Sequence, residues 1–179
     1  MIHEIILSGL GGKGVLVSGQ LLVQAGSLKY EHVSYYQAYT TLMRGGVCEC
    51  TVVLSDDPVA SPLLDQAGTV IVLEPSQAQA FEGRVSPGGV IILESTGLSH
   101  KIERDDVRVL QIPGVKIAAD LGSIQAANLV ILGTYIGVTK ALPPELIEEE
   151  LSKKFTKDES VLARNKEAFR KGLGLAEVK

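Results

Sequence analysis

The 179-residue chain contains no tryptophan, and aromatic residues make up only 4% of it. With 45% hydrophobic residues overall, its core has to be aliphatic. Abundant Val, Ile and Leu alongside 19 glycines fit an α/β protein with a buried, mainly parallel sheet. Cysteine is scarce as well: Cys48 and Cys50 are the only two. Two cannot make a disulfide framework, which points to a reducing cytoplasm. Positive charge is not in excess, and a formal net charge of -4 gives no electrostatic reason to expect a nucleic-acid partner. No apolar run reaches the roughly 20 residues needed to span a bilayer. Met1-Ile2-His3-Glu4 runs straight into a strand without a signal-peptide plan, so no membrane partner is expected.

Familiar catalytic patterns are missing too. No G-x-S-x-G elbow, H-E-x-x-H pair or paired-carboxylate arrangement occurs. His3, His32 and His100 are scattered without metal-ligand spacing. Cys48 and Cys50 share one face of a strand, but iron–sulfur clusters and structural zinc need four ligands, so both are read as packing residues. The sequence therefore assigns this chain no catalytic residue and no metal ligand.

What is present begins at residue 5. Ile5-Ile6-Leu7 runs into Gly9-Leu10-Gly11-Gly12-Lys13-Gly14 and then into Val15-Leu16-Val17-Ser18. This order reads as a strand, a glycine turn and a helix. Glycine reaches positive φ and lets backbone N–H groups approach another molecule closely, and a helix start adds unpaired N–H groups. Such a turn can hold a phosphate or carboxylate, or press against a protein surface. The spacing of Gly9, Gly11 and Gly14 fits the dinucleotide fingerprint G-x-G-x-x-G. That fingerprint normally requires an acid about 20 residues on, at the end of the second strand. Here the second strand, His32 to Tyr36, ends without one. A Walker loop is excluded because Lys13 precedes Gly14 and the spacing before it is wrong.

Arg44, beside Gly45-Gly46, is the most suggestive single charge, since an arginine on a glycine hinge can grip a carboxylate or phosphate in bidentate fashion. A solvated arginine or a subunit salt bridge is the plainer alternative. The remaining pattern alternates. Residues 37–46 read as a loop or short helix. Val47 to Leu54 reads as a strand with Cys48, Cys50, Val52 and Leu54 on one face. Ser61 to Gly68 reads as a short helix before the buried strand Thr69 to Glu74. Ser86 to Gly89 is a turn, Val90 to Glu94 a central strand, and Val107 to Leu110 a short one. Ile117 to about Val138 reads as one long helix with Gly133 and Gly137 on a face, suited to close contact. Pro143-Pro144-Glu145 opens a charged helix, and Thr156-Lys157-Asp158-Glu159 matches a capping box for the last one. Strands alternating with helices predict a single Rossmann-like domain over residues 1–179, doubly wound, mainly parallel, with helices on both faces.

Four segments, in this order, resemble the gamma subunit (or the equivalent domain) of the 2-oxoacid:ferredoxin oxidoreductases. They are Gly9–Gly14, like the family's G-x-G-G-Q-G; Arg44-Gly45-Gly46 before an alternating strand; Ser61-Pro62-Leu63 before the strand Val70 to Leu73; and Asn128 to Gly133, like N-x-x-x-x-G. Lys13 replaces the family's glutamine. The resemblance implies a component of a complex acting on pyruvate, 2-oxoglutarate or a related 2-oxoacid. In such a complex thiamine diphosphate, Mg2+, [4Fe-4S] clusters and coenzyme A would be used through alpha and beta thiamine-binding subunits and a ferredoxin-like delta subunit or domain. It implies that Gly9, Gly11, Gly12, Lys13, Gly14, Arg44, Gly45 and Gly46 form a loop surface for a cofactor or a partner subunit. A stand-alone Rossmann-like nucleotide-binding domain and a purely structural scaffold subunit are the alternative readings.

Overall fold

A computed structural model describes residues 1–38 and 46–176. Six strands form one sheet: β1 (Ile2–Leu10), β2 (His32–Ala38), β3 (Val47–Ser55), β4 (Ala67–Val72), β5 (Val85–Glu94) and β6 (Arg108–Ile112), in the order β2-β3-β1-β4-β5-β6. Pairings β1–β4, β4–β5 and β5–β6 are parallel, whereas β3 runs antiparallel to both β1 and β2. The sheet is thus mainly parallel, as the alternating pattern predicts. The strand on one side of β1 is β3, which begins where β1 ends, Val47 lying opposite Leu10. On the other side of β1, β4 runs parallel to it and ends at this edge, two residues before Glu74.

The two-residue period divides the sheet's side chains between two cores. Ile5, Leu7, Cys50, Val52, Leu54, Ile71 and Ile92 face the larger one. It is closed by α1 (Val15–Gly26), α3 (Gly114–Asp120), α4 (Ala127–Thr139), α5 (Pro144–Lys154) and α6 (Glu159–Leu175). On the other face Ile6, Val70, Val72, Ile91 and Leu93 are covered by the single-turn α2 (Ala78–Phe81) and by loop residues such as Leu64 and Ile102. Helices lie on both faces, but very unequally.

Three local expectations are corrected. Ser61 to Gly68 is not a helix: Pro62 has no N–H and biases Ser61 toward extended backbone. The segment instead lies under the sheet as an irregular strap, the Pro62 carbonyl accepting from Thr51 Oγ1 at 2.6 Å, and the next strand starts at Ala67. The long helix from Ile117 is two helices, because Gly122 takes φ 77 and turns the chain between α3 and α4. Its N–H donates to the Ala119 carbonyl, and that of Ser123 to Ala118, a left-handed helix end for which glycine is suited. The cap of α6 is Asp158, not Thr156: its Oδ1 accepts from the N–H groups of Ser160 and Val161 at 2.9 and 3.1 Å.

The helix–helix contact foreseen around Gly133 and Gly137 is present. A Cβ on Gly133 would collide with the Phe169 carbonyl, and one on Gly137 would lie 2.5 Å from the Ala176 Cβ. Across the interface Gly172 presses on the Val130 carbonyl in the same way. Three small residues thus let α4 and α6 meet backbone to backbone.

Candidate functional site

The loops after β1 and β4 define the crevice. From β1 the chain crosses through α1 on the larger-core face; from β4 it crosses through α2 on the other. Connections that leave neighbouring parallel strands toward opposite faces open a cleft at the carboxyl ends of those strands, the usual ligand position in doubly wound sheets. Here a cavity of about 250 Å³ occupies that point, lined among others by Gly11, Gly12, Lys13, Leu73, Glu94 and Asn128.

Each part of the turn has a visible cause. Gly9, the last residue but one of β1, lies so close to α1 that a Cβ would be 2.9 Å from Val15 Cγ2. The Lys13 N–H closes the turn onto the Leu10 carbonyl at 3.1 Å. Gly14 starts α1 at φ 81, in the left-handed region, with no side-chain cap. A Cβ there would also meet Asn128 Nδ2 at 2.5 Å. That amide donates to the Gly14 carbonyl at 3.4 Å and to Ser18 Oγ at 3.1 Å. Two of the four segments noted in the sequence, Gly9–Gly14 and Asn128–Gly133, are therefore in direct contact, 114 residues apart.

The third segment reaches the same place. The Gly11 N–H donates to the Gly46 carbonyl at 3.0 Å, so the chain just before β3 lies against the glycine turn. Arg44 and Gly45 lie outside the described residues. Gly9, Gly11, Gly12, Lys13, Gly14 and Gly46 thus form one contiguous rim. Ser61-Pro62-Leu63 belongs elsewhere, to the strap on the opposite face, through Thr51.

Two acids at this rim went unmarked in the sequence. Glu74 follows β4, and its Oε2 is 3.1 Å from Lys13 Nζ. Glu94 ends β5 and is only 1% exposed. Its Oε1 accepts from the Thr96 N–H at 2.8 Å and its Oε2 from the Val115 N–H at 2.9 Å. These backbone bonds satisfy a buried carboxylate without a cation. Both acids directly follow a buried aliphatic strand, a position that faces the crevice in a parallel sheet; that was the available signal.

Cys50 is buried against α1, its Sγ 3.7 Å from the Val15 carbonyl, and burial pushes its thiol up to about 12. Burial raises the Cys48 thiol too. His100 pairs with Glu82, Nε2 to Oε2 3.0 Å.

With this fold and rim in place, the chain can be set against known proteins. The family model described as "Pyruvate ferredoxin/flavodoxin oxidoreductase" matches residues 4–175, and the chain belongs to that family. It is similar to ketoisovalerate oxidoreductase subunit VorA of Methanothermobacter thermautotrophicus, with 34% identity over 89% of this chain and 33% of that protein. In structure it is similar to a keto/oxoacid ferredoxin oxidoreductase gamma subunit from Geobacter sulfurreducens PCA, with TM-score 0.82, 25% identity and coverage of 98% and 97% of the two chains. A third neighbour in fold is the 2-oxoglutarate:ferredoxin oxidoreductase from Magnetococcus marinus, solved with 2-oxoglutarate, coenzyme A and succinyl-CoA bound. There the TM-score is 0.90 at 24% identity, covering 99% of this chain and 31% of that one. The chain thus spans about a third of the VorA and Magnetococcus chains and nearly all of the Geobacter one.

Proposed function

We propose that this chain works as the gamma-type component of a multi-subunit 2-oxoacid:ferredoxin oxidoreductase, as one domain over its whole length, and that its glycine rim shapes the coenzyme A side of the active centre. One observation carries the reading: the Gly11-to-Gly46 bond joins the glycine turn to the segment that follows Arg44, at the crevice of the switch point. Family membership supports the reaction class, the oxidative decarboxylation of a 2-oxoacid to an acyl-CoA with electrons passed to ferredoxin. The Magnetococcus neighbour, with coenzyme A bound, supports the choice of ligand.

The chain's own donors do not fit an iron–sulfur cluster, since cluster sites use four thiolates and here Cys50 is a buried thiol. The reading therefore gives the clusters, thiamine diphosphate and Mg2+ to alpha, beta and ferredoxin-like delta partners. This chain's residues orient and bind. Gly11, Gly12 and Lys13 line the crevice, where anionic groups of coenzyme A would be received. Free Cys48 and Cys50 accord with work in the cytoplasm. Among the described residues no helix is long and apolar enough to cross a membrane.

The test is Arg44→Ala in the complex purified with its native partners. A rise in the KM for coenzyme A of about tenfold, the worth of one charge-assisted contact, is expected with assembly intact. Unaltered assembly together with unaltered coenzyme A and 2-oxoacid kinetics would count against the reading.

A further inference from the structure

The two strand-end loops are joined by an ion pair, Lys13 Nζ to Glu74 Oε2 at 3.1 Å. It runs from the loop after β1 to the loop after β4, and Lys13 is also one of the residues lining the switch-point cleft. We infer that this pair is exchangeable: the phosphates of an entering ligand take Lys13 away from Glu74, and Glu74 thereby sets how tightly this chain holds a phosphate-bearing ligand. The inference rests on the reading of the rim as the coenzyme A side.

Four features carry it. Lys13 is 45% exposed and Glu74 19%, so water reaches the pair. An ion pair in that setting contributes little and is readily exchanged. The Lys13 ammonium has three donors, and Glu74 is its one ion-pair partner among the described residues. Beside it, Gly12 adopts φ 90, and the space a Cβ would fill is open, with nothing within 4 Å. The other rim acid cannot take the same part. Glu94 has both oxygens committed to the backbone of residues 96 and 115 and is 1% exposed. Glu74 is therefore the movable counter-ion.

The experiment uses the complex with its native partners and compares two acyl acceptors, coenzyme A and pantetheine, which lacks the phosphates. Lys13→Gln is expected to raise the KM for coenzyme A about three- to tenfold, the range of a single partly exposed charge contact. Glu74→Gln is expected to lower it about two- to threefold, by releasing Lys13. Neither variant should change the KM for pantetheine or for the 2-oxoacid, and both effects should shrink as salt rises. The inference is overturned if the two variants move the coenzyme A KM in the same direction, if neither moves it, or if pantetheine responds equally. Arg44→Ala, measured alongside, separates the failures. A response there with none from Lys13 and Glu74 sinks the exchange alone, and no response from any of the three sinks the reading of the rim as well.

Discussion

The two faces of this sheet are closed by opposite means. On one face, helices meet with their backbones nearly touching, and small residues do the work: Gly133, Gly137 and Gly172 between α4 and α6. On the other, α2 is a single turn and the cover is a set of loops tied by charged side chains. Arg84 is the main tie there. It donates to Glu49 Oε1 at 2.6 Å, to the Asp65 carbonyl at 3.1 Å and to the Leu64 carbonyl, and it lies over the Phe81 ring at 5.4 Å. Arg104 plays a similar part, donating to the carbonyls of Glu82 and Val85 and to the Asp106 carboxylate. The difference teaches where each face is vulnerable. The helix face is sensitive to volume, the strap face to charge.

The sharpest way to break that contrast is Gly172→Ala. Its new Cβ would collide with the Val130 carbonyl, a backbone atom that cannot swing aside. A loss of about 3 kcal/mol in urea-unfolding free energy is expected, at the upper end for overpacking. A loss under about 0.5 kcal/mol, the range of an ordinary surface change, would mean the helices can slide apart freely.

Arg84→Met keeps most of the apolar stem and removes the ties. It leaves the half-buried Glu49 carboxylate and two carbonyls without their donor, so a loss of about 2 kcal/mol is expected. Faster amide exchange should be confined to the strap and α2, with α4 and α6 unaffected. Uniform acceleration across both faces would contradict the division.

The smallest effect is a response to acid. The Arg104 guanidinium beside Asp106 holds that carboxyl below its ordinary range. A carboxyl depressed in the folded state adds stability above its ordinary value and loses it as pH falls through the lowered one. Amide protection of residues 98–107, taken relative to the intrinsic exchange rate at each pH, should therefore fall as pH drops below the usual carboxylate range, and Asp106→Asn should remove that dependence. If the variant retains the wild-type pH profile, the loop is held by something else.

Much of this was legible in the sequence, and the exceptions have physical reasons. The strands and the face shared by Cys50, Val52 and Leu54 follow from a period of two, which burial on both sides reinforces. The contact at Gly133 was legible because paired small residues on a helix have few other uses. The helix expected over Ser61 to Gly68 failed on competition from tertiary bonds: its carbonyls are taken by Thr51 and Arg84. The break at Gly122 was obscured by apolar residues on both sides. At the site, the glycine turn was plain, but its partners were not. Asn128 meets Gly14 from 114 residues away, and Glu74 finds Lys13 only because β4 lies beside β1. Local pattern carries no record of such strand neighbours. The antiparallel β3 between β1 and β2 was hidden in the same way.

The assignment to a 2-oxoacid:ferredoxin oxidoreductase complex is tested by purifying this chain with its native partners and assaying 2-oxoacid-dependent ferredoxin or dye reduction with and without coenzyme A. The account predicts co-purifying thiamine diphosphate and iron–sulfur subunits, and reduction that depends on both the 2-oxoacid and coenzyme A. A chain that purifies without such subunits, and whose fractions reduce no acceptor with any 2-oxoacid, would contradict it.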